Sequence, residues 1–179
     1  MPYYAYIAYT SALATVVTFV TGLLFFLASD RLGKANDISS VFQVLIMLPL
    51  AIMFAQRFSQ PVAALGVVAA VLGGCGMLIS AVGQSLLVFN KIDFDRSRDF
   101  FPAGALIGIW LLMVSILHGA DGQLLPLVIW SGLVSGVAYI GTVVGFMWGG
   151  QKNVLFAVSG GLLGISYPVW AIALGNQII

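Results

Sequence analysis

The chain has 179 residues, 61% hydrophobic and 7% charged, with a net charge of +1 and a mean hydropathy of +1.09. About a quarter of a soluble domain's residues are charged, so a water-facing surface is excluded and the bilayer must solvate most of the protein. The near-zero charge gives no basic field for nucleic acid, and the single cysteine, Cys75, excludes an intrachain disulfide.

The first predicted span covers residues 4–28, about 25 residues and long enough to cross a hydrocarbon core of about 30 Å. Tyr3, Tyr4, Tyr6 and Tyr9 crowd its start, where a ring with a hydroxyl suits the headgroup zone. Met1 to Tyr9 carries no Lys or Arg, which is not the pattern of a cleavable signal. Ala8, Ser11, Thr15, Thr18, Gly22 and Ser29 recur at helical spacing and predict a face for close helix packing.

A polar connection through Arg31 and Lys34 leads to the second span, residues 38–55, with Asp37 or Ser39 as its expected cap. Pro49 removes one backbone donor inside it and predicts a kink. The third span, residues 61–89, starts at Pro61 and exceeds the length needed to cross. Gly73, Gly74 and Gly76 mark its middle.

The stretch Phe89 to Phe101 holds Lys91, Asp93, Asp95, Arg96, Arg98 and Asp99, six of the 13 charged residues of the chain. It divides three spans from three. Beyond it, Pro102 opens a fourth span over residues 102–117, which ends in a turn at His118-Gly119-Ala120-Asp121-Gly122. The fifth span covers 124–148, and the sixth 154–178 with Ser159-Gly160-Gly161, Gly164 and Pro168. Glycines four apart recur at Gly104/Gly108, Gly132/Gly136, Gly141/Gly145, Gly145/Gly149 and Gly160/Gly164, a spacing that lets helix backbones touch.

The expected fold is therefore an all-α integral membrane protein, a compact bundle of six transmembrane helices in one domain. With the N-terminus outside, Arg31, Lys34, Lys91, Arg96, Arg98 and Lys152 fall on inner loops and only Arg57 falls outside. The positive-inside rule then makes the central loop cytoplasmic and puts both termini outside. The expected location is a plasma (inner) membrane of bacterial type.

No metalloprotease, phosphate-loop or nucleophile-elbow motif occurs, and the spans are nearly free of ionisable groups, which argues against a proton relay or ion pump. The reading is accordingly non-catalytic. His118, the sole histidine, is the candidate cofactor ligand, since a haem or chlorophyll-type pigment needs an axial base. Asp93 with Asp95 form the candidate metal pair, two carboxylates two residues apart. If the glycine-rich third and sixth spans are interrupted helices in two inverted three-helix halves, they mark a midplane solute site. Gln43, Gly74, Ser80, Gly161 and Ser166 would then line it.

Three functions fit these features. The first is a structural or accessory subunit that packs as a homo-oligomer or with other membrane subunits, which explains the glycine faces and short loops. The second is a small transporter or channel for a neutral or amphipathic solute. The third is a pigment, haem or quinone-binding protein using His118, Trp110 and Trp130. The sequence favours the first.

Overall fold

In hydrocarbon an unpaired backbone N–H or C=O has no water to bond, so an apolar run of this length must become a helix. The computed structural model describes residues 2–27, 32–57, 63–120 and 122–179. Ser29, Arg31, Pro61 and Asp121, and the side chains of Arg57 and Asp95, lie outside the described residues. Among those described, six helices are long and apolar enough to cross a membrane. They are α1 (Pro2–Leu27), α2 (Gly33–Arg57), α3 (Ala63–Val88), α5 (Ala103–Ala120), α6 (Pro126–Gly149) and α7 (Val154–Ile178). A short α4 (Phe94–Ser97) lies in the charged central loop, and a 3-10 turn (Gly150–Lys152) precedes α7. The protein is an integral membrane bundle of six helices.

Local chemistry explains the helix ends. Asn153 adopts an extended backbone and its Oδ1 accepts the Leu155 N–H at 2.8 Å, capping α7. Asp93 caps the short α4 in the same manner, its Oδ1 accepting the Arg96 N–H at 2.9 Å. Three sequence expectations shift. Helix α2 begins at Gly33, so Asp37 and Ser39 sit inside it and do not cap it. The Ser39 and Ser40 hydroxyls instead donate back to the Asn36 carbonyl. Helix α5 runs on to Ala120, which places His118 inside the helix and not in a turn. Helices α3 and α7 are continuous through Gly73–Gly76 and through Gly160–Pro168, so neither is interrupted.

The glycines of α3 serve a close crossing. A Cβ at Gly73 would lie 2.5 Å from Cγ of Trp110, and one at Gly76 would lie 2.7 Å from the Ala103 carbonyl. Helices α5 and α6 meet backbone to backbone in both directions, since a Cβ at Gly108 would sit 2.7 Å from the Gly136 carbonyl and one at Gly136 2.8 Å from the Gly108 carbonyl. The two glycine pairs of α6 split their duties. Gly136 faces α5 and Gly132 faces both Ser115 of α5 and Trp170 of α7, while Gly141 and Gly145 face Ser159 and Phe156 of α7.

The extensive helix contacts form one circuit, α1–α2–α3–α5–α6–α7, closed by α7 against α1. Its sense corrects the expectation of inverted halves. A half-turn about an axis in the membrane plane inverts every helix, but it also reverses the sense of the circuit. An axis that carries α1 onto α5 carries α2 onto α3, not onto α6. Two three-helix halves in sequential order around a ring are therefore not inverted repeats of each other. The small-residue face of α1 packs as expected: Ala8, Ser11 and Thr15 are buried, and Ser11 Oγ lies 3.1 Å from the Tyr167 hydroxyl of α7.

Candidate functional site

Alternation of the helices puts the ends of α1, α3 and α6 on the side of the central loop, together with the starts of α2, α5 and α7. In that half of the ring lies a cavity of about 170 Å³. Its polar groups are Ser40 and Gln43 of α2, Ser80 and Gln84 of α3, Ser97 of α4, and Tyr139 and Thr142 of α6. Val44, Leu87, Phe100, Phe101, Ile107, Val143 and Leu163 supply apolar wall. Gln43 lies about ten residues into α2, on the order of 15 Å along its axis, so the cavity reaches the middle of the bundle.

Two groups form its deep end. Gln43 Nε2 donates to the Tyr139 hydroxyl at 3.2 Å, and that hydroxyl directs its own proton toward Met47 Sδ at 3.8 Å. This bond spans the ring from α2 to α6 and fixes both side chains. Ser40 and Thr142 are engaged with their own helices, each donating to a backbone carbonyl at 2.8 Å. Gln84 is different. Its Oε1 is buried and has no hydrogen-bond partner among the described residues. A buried amide oxygen without a donor is uncommon and costly.

The charged loop forms the near wall. Ser97 is buried, and Phe100 packs on Gly83, where a Cβ would lie 2.6 Å from its own Cβ. Phe101 stacks on Phe146 with ring centroids 3.9 Å apart, and the Arg98 guanidinium lies over the other reach of that cluster, 5.7 Å from the Phe146 centroid. Three aromatic rings thus pin the loop to α6 and α7, with Phe156 completing the set.

On the far side the ring is filled. Phe54 of α2, Trp110 of α5 and Trp170 of α7 meet with centroid separations of 5.9–6.3 Å. Tyr167 lies 5.3 Å from Trp170, and the His118 ring 5.1 Å from Phe54. All five side chains are buried.

Of the residues expected at a solute site, the structure brings together Gln43 and Ser80. Ser166 instead receives a hydrogen bond from Ser135 Oγ at 2.9 Å, joining α7 to α6. Gly74 faces Leu48 at ordinary contact distance, and Gly161 has nothing within 4 Å, so neither lines the cavity. His118 is 1% exposed, its Nδ1 2.9 Å from Gln123 Oε1. The carboxylate of Asp93 is occupied as the cap of α4.

Sequence reasoning missed Gln84 and Tyr139. Gln84 carried a usable signal, an amide in an apolar helix like Gln43, whereas Tyr139 had none to separate it from membrane tyrosines in general. No protein family, curated protein or solved structure matches the chain.

Proposed function

We propose that this membrane protein binds a small, neutral, amphipathic solute that enters the bundle from the side of the central loop. The observation that carries the reading is the half-open cavity within the ring, lined in part by Gln84, whose buried Oε1 has no hydrogen-bond partner among the described residues. Binding sites for small molecules combine apolar walls with a few placed polar groups, and this wall has that makeup. An apolar cavity of about 150 Å³ holds benzene, so the volume here suits a molecule of that size with a polar handle. Among the described residues no Asp, Glu, Lys, Arg or His lines the cavity, so these residues offer a charged ligand no counter-ion at this depth. Gln84 Oε1 accepts a hydrogen bond, so the solute offers an O–H or N–H.

The accessory-subunit reading rests on glycine faces, and the chain itself consumes most of them. Gly73, Gly76, Gly108, Gly132, Gly136, Gly141, Gly145 and Gly164 each receive a neighbouring helix of the same chain.

Benzyl alcohol is a suitable probe for the purified protein in detergent. Saturation-transfer NMR should detect a competable bound fraction. Ser80→Leu, which fills the cavity, and Gln84→Leu, which removes the acceptor, should each weaken binding about tenfold or more while the protein elutes and melts as before. Equal binding by wild type and both variants would refute the proposal.

A further inference from the structure

The filled half of the ring contains polar groups that packing does not explain. Trp110 Nε1, Trp170 Nε1 and Ser115 Oγ are buried without hydrogen-bond partners among the described residues, and all three residues are 0% exposed. Polar groups in a membrane interior are ordinarily paired, because neither lipid nor apolar side chains can bond them. Two of these three converge. Ser115 Oγ and Trp170 Nε1 both lie within 3 Å of the point where a Cβ on Gly132 would stand.

These groups also continue a series. From the Gln43–Tyr139 bond at the deep end of the cavity, the Ser135–Ser166 bond follows about one turn further along α6. Ser115 and Trp170 come next, beside Gly132. His118 and Gln123 follow, and Gln177 Nε2 donates to the Gln123 carbonyl at 2.6 Å near the end of the bundle. The same half also holds the Ser11–Tyr167 pair between α1 and α7, set among Met, Leu, Ala and Phe.

We propose that this line is the route by which the solute crosses the far half, with Ser115 and Trp170 as its second binding station. The inference rests on the solute-binding reading of the cavity. An indole N–H only donates, so the second station recognises an acceptor on the solute. Together with the donor required by Gln84, this calls for a neutral group that both donates and accepts, such as a hydroxyl or an amide. The structure then represents one conformer, with the cavity formed on the loop side and the far half shut. The second station becomes accessible in a less populated conformer.

Cysteine accessibility tests this without knowledge of the natural solute. Cys75 is exposed, so the background is Cys75→Ser in the full-length protein, reacted with methanethiosulfonate ethylammonium. Three sites are compared: Ser80→Cys in the cavity, Ser115→Cys at the second station, and Ala69→Cys in the far half away from the line. Ala69 and Ser115 are both 0% exposed, so a static bundle predicts equally slow reaction at both. The proposal predicts that Ser115→Cys reacts about tenfold or more faster than Ala69→Cys. Ser166→Cys serves as a second position on the line should Ser115→Cys fail to fold, and it should react comparably fast. If Ser80→Cys reacts and the line positions are as slow as Ala69→Cys, the route is wrong and the cavity reading stands. If Ser80→Cys is itself inert, both are wrong.

Discussion

The two halves of the ring fill the same central space by different means. On the terminal side, Phe54, Trp110, Tyr167 and Trp170 meet on the axis and leave no water-accessible surface. On the loop side, the helices carry Ser, Gln and Thr at corresponding depths, and a space of about 170 Å³ remains. The boundary is the Gln43–Tyr139 bond. Lipid is as apolar as any side chain, so burial alone gives helices in a membrane little reason to associate. Dispersion contacts and interhelical hydrogen bonds hold them instead. The filled half therefore holds the ring together, and the open half can relinquish packing to hold a ligand.

Substitutions can break that division. The largest effect is expected for Phe54→Ala, which removes the ring that touches Trp110, Trp170 and His118. A loss of about 3 kcal/mol or more is expected, seen as a large drop in the thermal midpoint followed by tryptophan fluorescence. Helix α6 against α7 comes next. A Cβ at Gly145 would fall on the Phe156 backbone, which cannot turn aside as a side chain can. Gly145→Ala should thus cost about 2–3 kcal/mol and reduce the yield of monodisperse protein on size exclusion.

Tyr139→Phe keeps the ring and removes the bond that divides the halves. Gln43 then loses its cross-ring acceptor, and a smaller destabilisation of about 1 kcal/mol is expected in a thermal melt. If the loss equals that of Phe54→Ala, the boundary belongs to the filled half. The smallest effect is reserved for Gly161→Ala. Nothing lies within 4 Å of that position, and alanine favours a helix over glycine by up to about 1 kcal/mol. Stability should be unchanged or slightly raised. A change in oligomer size on crosslinking would instead reveal that the face of Val158, Gly161 and Ile165 is covered by another chain.

Much of the fold was legible because hydrophobic length speaks directly to span number. The sixth span, 154–178, coincides with α7, where Asn153 gives a polar stop and a cap. Hydropathy starts the second span at 38, five residues after α2 begins, since Lys34, Asn36 and Asp37 look like a loop. They are helical all the same, and there the Asn36 carbonyl accepts the hydroxyls of Ser39 and Ser40 within the turn. Glycine misled in a similar way. Gly73, Gly74 and Gly76 suggest an interruption by sequence, yet two of them accommodate α5 and the helix continues. A glycine that breaks a helix and one that admits a neighbour look the same in sequence.

The site was half visible for a related reason. Gln43 and Ser80 were named as polar residues inside apolar spans, and they do meet. The choice of Gly161 and Ser166 depended on an inverted symmetry that the circuit does not have. Ser97 was hidden because a charged loop reads as solvated, whereas Phe100 and Phe101 anchor it against the bundle.

The closing seam of the ring sets the order in which the molecule can assemble. Every other major pairing joins consecutive spans, so each forms as soon as the next helix is available. The pairing of α1 with α7 alone joins helices far apart in the chain. Phe19 rests on Gly164, Tyr9 on Gly175, and the Tyr9 hydroxyl donates to Asn176 Oδ1 at 2.7 Å. Until the last helix arrives, the first must wait with Ser11 and Thr15 uncovered, and the interior remains open along one side. Ring closure is then the late, entropically expensive step of folding.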